Sequence, residues 1–160
     1  MNLKNKIIVL DNVLSIDECM SAIKKFEDNK SLHRPHKGSL FLDVDPSIPS
    51  LYSAAEKVRD SISFLTNEIE IEWSFLVRWE NGAGQGYHYD DASSNTIFTS
   101  ITYLNTEFVG GETSFFRDMK IIPKVGRTVY FDGNHYKHGV IPVTSGLRYT
   151  LPIWYKNKGP

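Results

Sequence analysis

Apolar and polar residues change their spacing once along this chain, near residue 68. Ahead of that point the spacing is helical. Ser15-Ile16-Asp17-Glu18 has the form of a capping box, in which the serine side chain caps and the glutamate reaches back. Ile16, Cys19, Ile23 and Phe26 then fall on one face of a helix. A second helix is predicted from about Pro49 to Leu65, with a proline in its first turn and Leu51, Ala55, Val58, Ile62 and Leu65 on one face. Ile7 to Leu10 reads as a short buried strand. Residues 31–50 hold proline, glycine, serine and aspartate around an apolar island, Leu40-Phe41-Leu42, which predicts a loop with one strand.

Beyond Glu68 the period becomes two. Ile69-Glu70-Ile71-Glu72-Trp73 alternates, and Phe75-Leu76-Val77 continues the run. Further short β-rich runs follow at residues 96–104, 113–116, 127–131 and 148–154, separated by turns that contain glycine, proline and asparagine. Two helices followed by many short strands predict a mainly β protein with flanking helices (α+β). The strands would close into a jelly-roll, cupin-like double sheet, with the helices packed on one sheet. The mouth of such a barrel is a natural ligand site.

At 160 residues, 41% of them hydrophobic, the chain suits one globular domain with one core. We expect a helical N-terminal support over residues 1–68 and a catalytic core over residues 69–156. The net charge of −1 offers no global attraction to nucleic acid or to acidic membranes, and no apolar stretch approaches the length of a membrane span. The single cysteine, Cys19, excludes an internal disulfide and sits at a core-facing helical position. A soluble, cytoplasmic protein is the expectation, with no nucleic-acid or membrane partner.

The chemistry concentrates in His88-Tyr89-Asp90 and, much later, His138. In a strand, residues two apart point to the same side, so His88 and Asp90 can aim an imidazole and a carboxylate at one point. His138 would complete a set of two histidines and one carboxylate, which leaves coordination positions open and suits Fe(II) oxygen chemistry. Arg148 lies downstream on a β-rich run, and a guanidinium can hold a carboxylate through a two-pronged contact.

These residues sit in an ordered series of segments: Val77-Arg78-Trp79-Glu80-Asn81-Gly82, Tyr87-His88-Tyr89-Asp90, Ile101-Thr102-Tyr103-Leu104-Asn105, Gly110-Gly111-Glu112-Thr113, Pro123-Lys124-Val125-Gly126-Arg127, His138-Gly139-Val140-Ile141-Pro142-Val143 and Gly146-Leu147-Arg148-Tyr149. From Leu76 to Tyr155 the series resembles the catalytic core of the 2-oxoglutarate/Fe(II) dioxygenases of the prolyl 4-hydroxylase type, whose fold is a double-stranded β-helix. The resemblance implies an enzyme that uses Fe(II), 2-oxoglutarate and O2, with ascorbate as an accessory reductant. It implies hydroxylation of prolyl residues in a peptide or protein, with succinate and CO2 as co-products.

Position by position, the resemblance implies His88, Asp90 and His138 as iron ligands and Arg148 as the partner of the 2-oxoglutarate C5 carboxylate. Tyr103 supports the same carboxylate, Thr113 lines the co-substrate pocket and Trp154 lies near the iron. Trp79, Tyr87 and Arg78 are candidate substrate contacts. Collagen-type enzymes carry lysine where this chain has Arg148, and relatives often have Arg-Tyr where it has Arg78-Trp79.

Other readings stand beside these. Arg78 and Arg127 serve equally well as structural ion-pair residues, and Tyr87 as a packing residue. His33 and His36 read as part of a solvated loop, His135 as a rim residue and Glu112 as a turn residue. A different amino-acid side chain, a free amino acid or a small metabolite is the alternative substrate. A zinc-holding or catalytically inert cupin-like binding module is the alternative to an enzyme.

Overall fold

The computed structural model describes residues 5–116 and 118–160. In chain order the elements are β1 (Ile8–Leu10), α1 (Ile16–Asp28), a 3-10 turn at Lys30–Leu32, β2 (Arg34–His36), β3 (Ser39–Asp43), α2 (Pro49–Asp60) and β4 (Ile69–Trp79). Nine strands follow: β5 (Gln85–His88), β6 (Phe98–Tyr103), β7 (Phe108–Val109), β8 (Thr113–Phe115), β9 (Met119–Ile121), β10 (Thr128–Phe131), β11 (His138–Val140), β12 (Ser145–Gly146) and β13 (Arg148–Asn157). A seven-stranded sheet runs β1-β10-β6-β13-β4-β3-β2, and a four-stranded sheet runs β5-β11-β8-β9. All of these pairings are antiparallel. This is the jelly-roll double-stranded β-helix expected from the strand pattern.

Strand parity builds two cores. On one face of the large sheet, Leu76, Phe98, Tyr130, Leu151, Ile153 and Tyr155 pack with Phe26 of α1 and Val58 of α2. On the other face, Ile101, Tyr103, Val129 and Phe131 meet Phe115 of the small sheet. Residues 128–131 and 148–153 are therefore buried on both faces and lack an exposed side.

The capping box at Ser15 forms as expected: Glu18 N–H donates to Ser15 Oγ at 3.1 Å, and Ser15 N–H donates to Glu18 Oε1 at 3.0 Å. Replacing Ser15 with alanine is expected to lower stability by about 1 kcal/mol in denaturant unfolding, the usual cost of a lost N-cap.

Several local expectations are corrected. Ile16 is 66% exposed, because it opens α1 and the buried stripe runs through Cys19, Ala22 and Phe26. The second helix ends at Asp60, and turns carry the chain to Leu65. Ile8–Leu10 is an edge strand, paired only with β10, and is partly exposed. The 31–50 segment holds two strands, not one, and with β1 they complete the large sheet, so residues 1–68 are more than a helical support. His33 is no loop residue in water: its ring stacks on Phe26 at 3.9 Å and its Nε2 lies 2.7 Å from Phe26 O. Cys19 is buried in the first core as expected, and burial pushes its thiol up to about 11. Among the described residues no helix is long and apolar enough to cross a membrane.

Candidate metal and ligand site

Between the two sheets lies a cavity of about 550 Å³, a size that suits a small ligand. On the large sheet its walls come from one parity of each strand. β4 contributes Trp73, Phe75, Val77 and Trp79, β6 contributes Thr99 and Ile101, and β13 contributes Arg148, Thr150, Pro152 and Trp154. His88 of β5 and His138 of β11 face them from the small sheet, where the two residues are paired across neighbouring strands.

His88, Asp90 and His138 converge: one ligand atom from each lies within 4.8 Å of the others. His88 Nε2 is 3.7 Å, and His138 Nε2 3.4 Å, from the same oxygen, Asp90 Oδ1. The far side of each group is already occupied. His88 Nδ1 is 2.9 Å from Gly86 O, and His138 Nδ1 is 2.9 Å from Tyr136 O. A carbonyl only accepts, so each Nδ1 is the donor there, and each Nε2 is the ring nitrogen that faces the cluster. Asp90 Oδ2 accepts a hydrogen bond from Thr99 Oγ1 at 2.6 Å, which leaves Oδ1 facing the two imidazoles. This is the outer shell that orients metal ligands in proteins. Burial raises the Asp90 carboxyl, but His138, Thr99 and His88 outweigh it and the net direction is down, toward the carboxylate.

The route to this geometry differs from the one expected. β5 ends at His88, and Asp90 lies beyond it, so the two do not share a regular strand. Asp90 is held instead by its own N–H, which donates to Gly133 O at 2.9 Å, and by Thr99. Gly133 sits so close that a Cβ there would meet Asp90 Oδ2 at 2.2 Å. Thr99 was not singled out from sequence. Its signal lay in the parity of β6, which puts Thr99, Ile101 and Tyr103 on the cavity side. Thr99→Val is expected to weaken divalent-metal affinity by roughly 10- to 100-fold, as other losses of outer-shell partners do. Titration of the full chain with Fe(II) under argon measures it.

At the other end of the cavity Arg148 is 1% exposed. Its Nε donates to Gly111 O at 2.6 Å, and its terminal nitrogens lie 3.4 Å from Thr113 Oγ1 and 3.5 Å from Thr150 Oγ1. The guanidinium stands over the rings of Trp79 at 5.2 Å and Tyr103 at 5.4 Å. Among the described residues no carboxylate lies within ion-pair distance of it. Burial pushes it down from its usual value, Tyr103 and Glu112 offset part of that, and a guanidinium keeps its proton in a protein. An unmatched buried cation is costly, and an anionic ligand relieves the cost. Tyr103 O–H donates to Thr113 Oγ1 at 2.6 Å and lies beneath the same pocket end. The indole N–H of Trp79 is buried with no hydrogen-bond partner and adds an unused donor beside Arg148.

Three other residues named from the sequence fall outside this cluster. Arg78 points to the opposite face from Trp79, toward α1, where it pairs with Glu27 at 2.8 Å and Glu80 at 2.8 Å. It is a structural residue and does not line the cavity. Tyr87 is likewise turned outward because its neighbour His88 points inward, and its hydroxyl hydrogen-bonds with Ser114 Oγ at 2.6 Å. His135 is exposed and outside the metal group. Trp154 lines the cavity but lies roughly 20 Å along β13 from Arg148. It neighbours Thr99 across the sheet and touches Trp73 and Phe75. It belongs to the metal end and to an aromatic wall, away from the guanidinium.

No protein-family model matches the chain, and no curated protein is significantly similar to it. Solved structures do share its fold. A viral collagen prolyl hydroxylase from Paramecium bursaria Chlorella virus-1, in its 2OG complex, is 23% identical with a TM-score of 0.78, over 96% of this chain and 98% of that one. A prolyl-4-hydroxylase from Pseudomonas putida is 20% identical with a TM-score of 0.78, over 96% of this chain and 93% of that one. A prolyl hydroxylase from Trichoplax adhaerens, in complex with a hypoxia inducible factor oxygen degradation domain peptide fragment, is 16% identical with a TM-score of 0.76, over 96% of this chain and 84% of that one. The resemblance read from sequence is thus met at the level of the whole fold.

Proposed function

We propose that this chain is a 2-oxoglutarate- and Fe(II)-dependent dioxygenase that hydroxylates prolyl residues in a peptide or protein. The observation that carries the reading is the pairing, in one cavity, of two converging imidazoles and a carboxylate with a buried guanidinium that has no carboxylate partner among the described residues. A zinc-holding binding module accounts for the first half of that pairing and leaves Arg148 without a purpose.

The donor set fits the metal. Two neutral imidazoles and one carboxylate suit Fe(II) and leave positions open for other ligands. The opposite end fits a dicarboxylate, because Arg148 would hold the far carboxylate while the near end reaches the metal. When bound, Fe(II) and 2-oxoglutarate supply the oxidation by O2 that turns a substrate C–H into C–OH and 2-oxoglutarate into succinate and CO2.

The chain's own residues prepare that reaction. His88, Asp90 and His138 hold the metal, and Thr99 fixes which Asp90 oxygen faces it. Arg148, with Thr113 and the unused Trp79 N–H nearby, orients the co-substrate, and Tyr103 supports Thr113 from beneath. Ile101, Val140 and Val77 line the walls between the two ends and keep water from them.

Peptidyl proline is the substrate class favoured by the neighbours' printed identities, one of which holds a peptide. We place the protein in the cytoplasm, where Fe(II) and a lone thiol both stay reduced. The test is succinate release from 2-oxoglutarate with Fe(II) and ascorbate, coupled to a mass gain of one oxygen on a proline-containing peptide. Coupled, iron-dependent release is the expected result. Absence of any 2-oxoglutarate turnover would refute the reading.

A further inference from the structure

Behind the guanidinium end of the cavity, on the far face of the large sheet, one carboxylate oxygen ties two strands together. Arg148 of β13 lies directly across from Trp79 of β4, and the next pair along is Tyr149 with Arg78. The first pair lines the cavity, and the second faces α1. Glu27, in the last turn of α1, receives both members of the second pair on one atom. Tyr149 O–H donates to Glu27 Oε1 at 2.6 Å, and Arg78 Nη1 donates to it at 2.8 Å. The neighbouring ring, Phe26, lies under the Arg78 guanidinium at 5.7 Å and meets the Tyr149 ring edge-on at 5.9 Å.

The protonation states suit this clamp. Burial raises the Glu27 carboxyl, but Tyr149 and Arg78 outweigh it, so it stands ionised and only accepts. Burial and Glu27 push the Tyr149 hydroxyl up to about 12, so it keeps the proton that it donates. The helix itself does not call for an acid here, because the last turn of a helix favours cations.

We infer that Glu27 is a positioning residue for the co-substrate: from outside the barrel it fixes the Trp79–Arg148 pair, and so the aim of the two donors offered to the far carboxylate of 2-oxoglutarate. The inference rests on the dioxygenase reading above and goes further, in naming what holds that end in register. Trp79–Arg148 is the last pair of the β4–β13 ladder, since β4 stops at Trp79 and β13 starts at Arg148. Ends of ladders fray. Asn105 holds the β13 main chain on both sides of Arg148, donating to Leu147 O at 2.9 Å and accepting from Tyr149 N–H at 2.9 Å. Asn105 does not touch β4 in these contacts, whereas Glu27 bonds to both strands. A misplacement of about 1 Å at such donors is enough to weaken binding by a large factor.

A plain anchor of α1 to the sheet would cost stability when removed, without changing which ligand the cavity prefers. The experiment therefore reads preference. The full chain loaded with Fe(II) under argon is titrated by calorimetry with 2-oxoglutarate and with 2-oxopentanoate, which has a methyl group in place of the far carboxylate. Glu27→Ala is expected to weaken 2-oxoglutarate about tenfold and to leave 2-oxopentanoate and Fe(II) affinity as in wild type. Glu27→Gln keeps an acceptor oxygen and is expected to restore most of that loss. Tyr149→Phe keeps the ring and removes only the hydroxyl; it is expected to shift the preference in the same direction as alanine, and it serves if the alanine variant does not fold.

An unchanged preference in Glu27→Ala and Tyr149→Phe, with the two keto acids weakened equally or not at all, overturns the positioning role. So does a glutamine variant that behaves like alanine, because charge and not geometry would then be the cause. If wild type still prefers 2-oxoglutarate, either result leaves the dioxygenase reading standing. If wild type binds neither keto acid, that reading falls and the role of Glu27 falls with it.

Discussion

Replacing Arg148 with methionine is expected to move stability and co-substrate binding in opposite directions. In the ligand-free protein the guanidinium is almost wholly buried without a carboxylate partner. Methionine has a similar length and no charge to desolvate, and exchanging buried charge for apolar volume often stabilises by about 1–4 kcal/mol. Loss of the hydrogen bond to Gly111 O offsets about 1 kcal/mol of that. The ligand-free variant should therefore melt at or above the wild-type temperature.

With 2-oxoglutarate the order reverses. Removing one partner of a buried, hydrogen-bonded charge pair costs about 2–5 kcal/mol, or roughly 30- to several-thousand-fold in affinity. Wild-type protein at 100 times its dissociation constant gains about 2.7 kcal/mol from ligand, and the variant gains almost nothing. Thermal melts with and without 2-oxoglutarate read both effects. A variant that is destabilised without ligand and still responds to it fully would show that Arg148 serves the fold and not the co-substrate.

Gly133→Ala is expected to abolish metal binding nearly as completely as removal of Asp90 itself. The φ of Gly133 is not in the left-handed region, so alanine suits the backbone there. The obstacle is the carboxylate. The new methyl group would stand 2.2 Å from Asp90 Oδ2 and 2.7 Å from its Cβ and Cγ, closer than any real contact. Asp90 must move, and with it go the Thr99 hydrogen bond and the position of Oδ1 between the histidines. A loss of about 100-fold or more in Fe(II) affinity is expected, beyond the upper end of the outer-shell range. Overpacking should cost about 1–3 kcal/mol of stability, which leaves the chain folded. Metal titration followed by a melt separates the two effects, and wild-type affinity in this variant would contradict the placement of Asp90.

Much of this was legible because the signals were local. The capping box needs four residues, the alternation after Glu68 needs five, and the order of motif segments is enough to single out His88, Asp90, His138 and Arg148. What escaped depended on the partner across the gap. Asp90 reaches the cluster through Gly133 and Thr99, which are 43 and 9 residues away, and no periodicity reports such a contact. Arg78 and Tyr87 were open between two roles, and parity decides both: each precedes or follows a residue that points into the cavity, so each points out. β2 and β5 escaped because three- and four-residue strands rich in proline, glycine and histidine carry no apolar alternation. Their pairing partners, β3 and β11, make them strands.

The large sheet ends at β2, whose three residues are Arg34, Pro35 and His36. An unguarded sheet border invites another chain to add itself on, the first step toward fibrils. Proline has no N–H to offer such a newcomer, and a border this short, with charge on one flank, gives it little to zip onto. The protein can thus leave its cavity open beside that border and still discourage copies of itself from polymerising there.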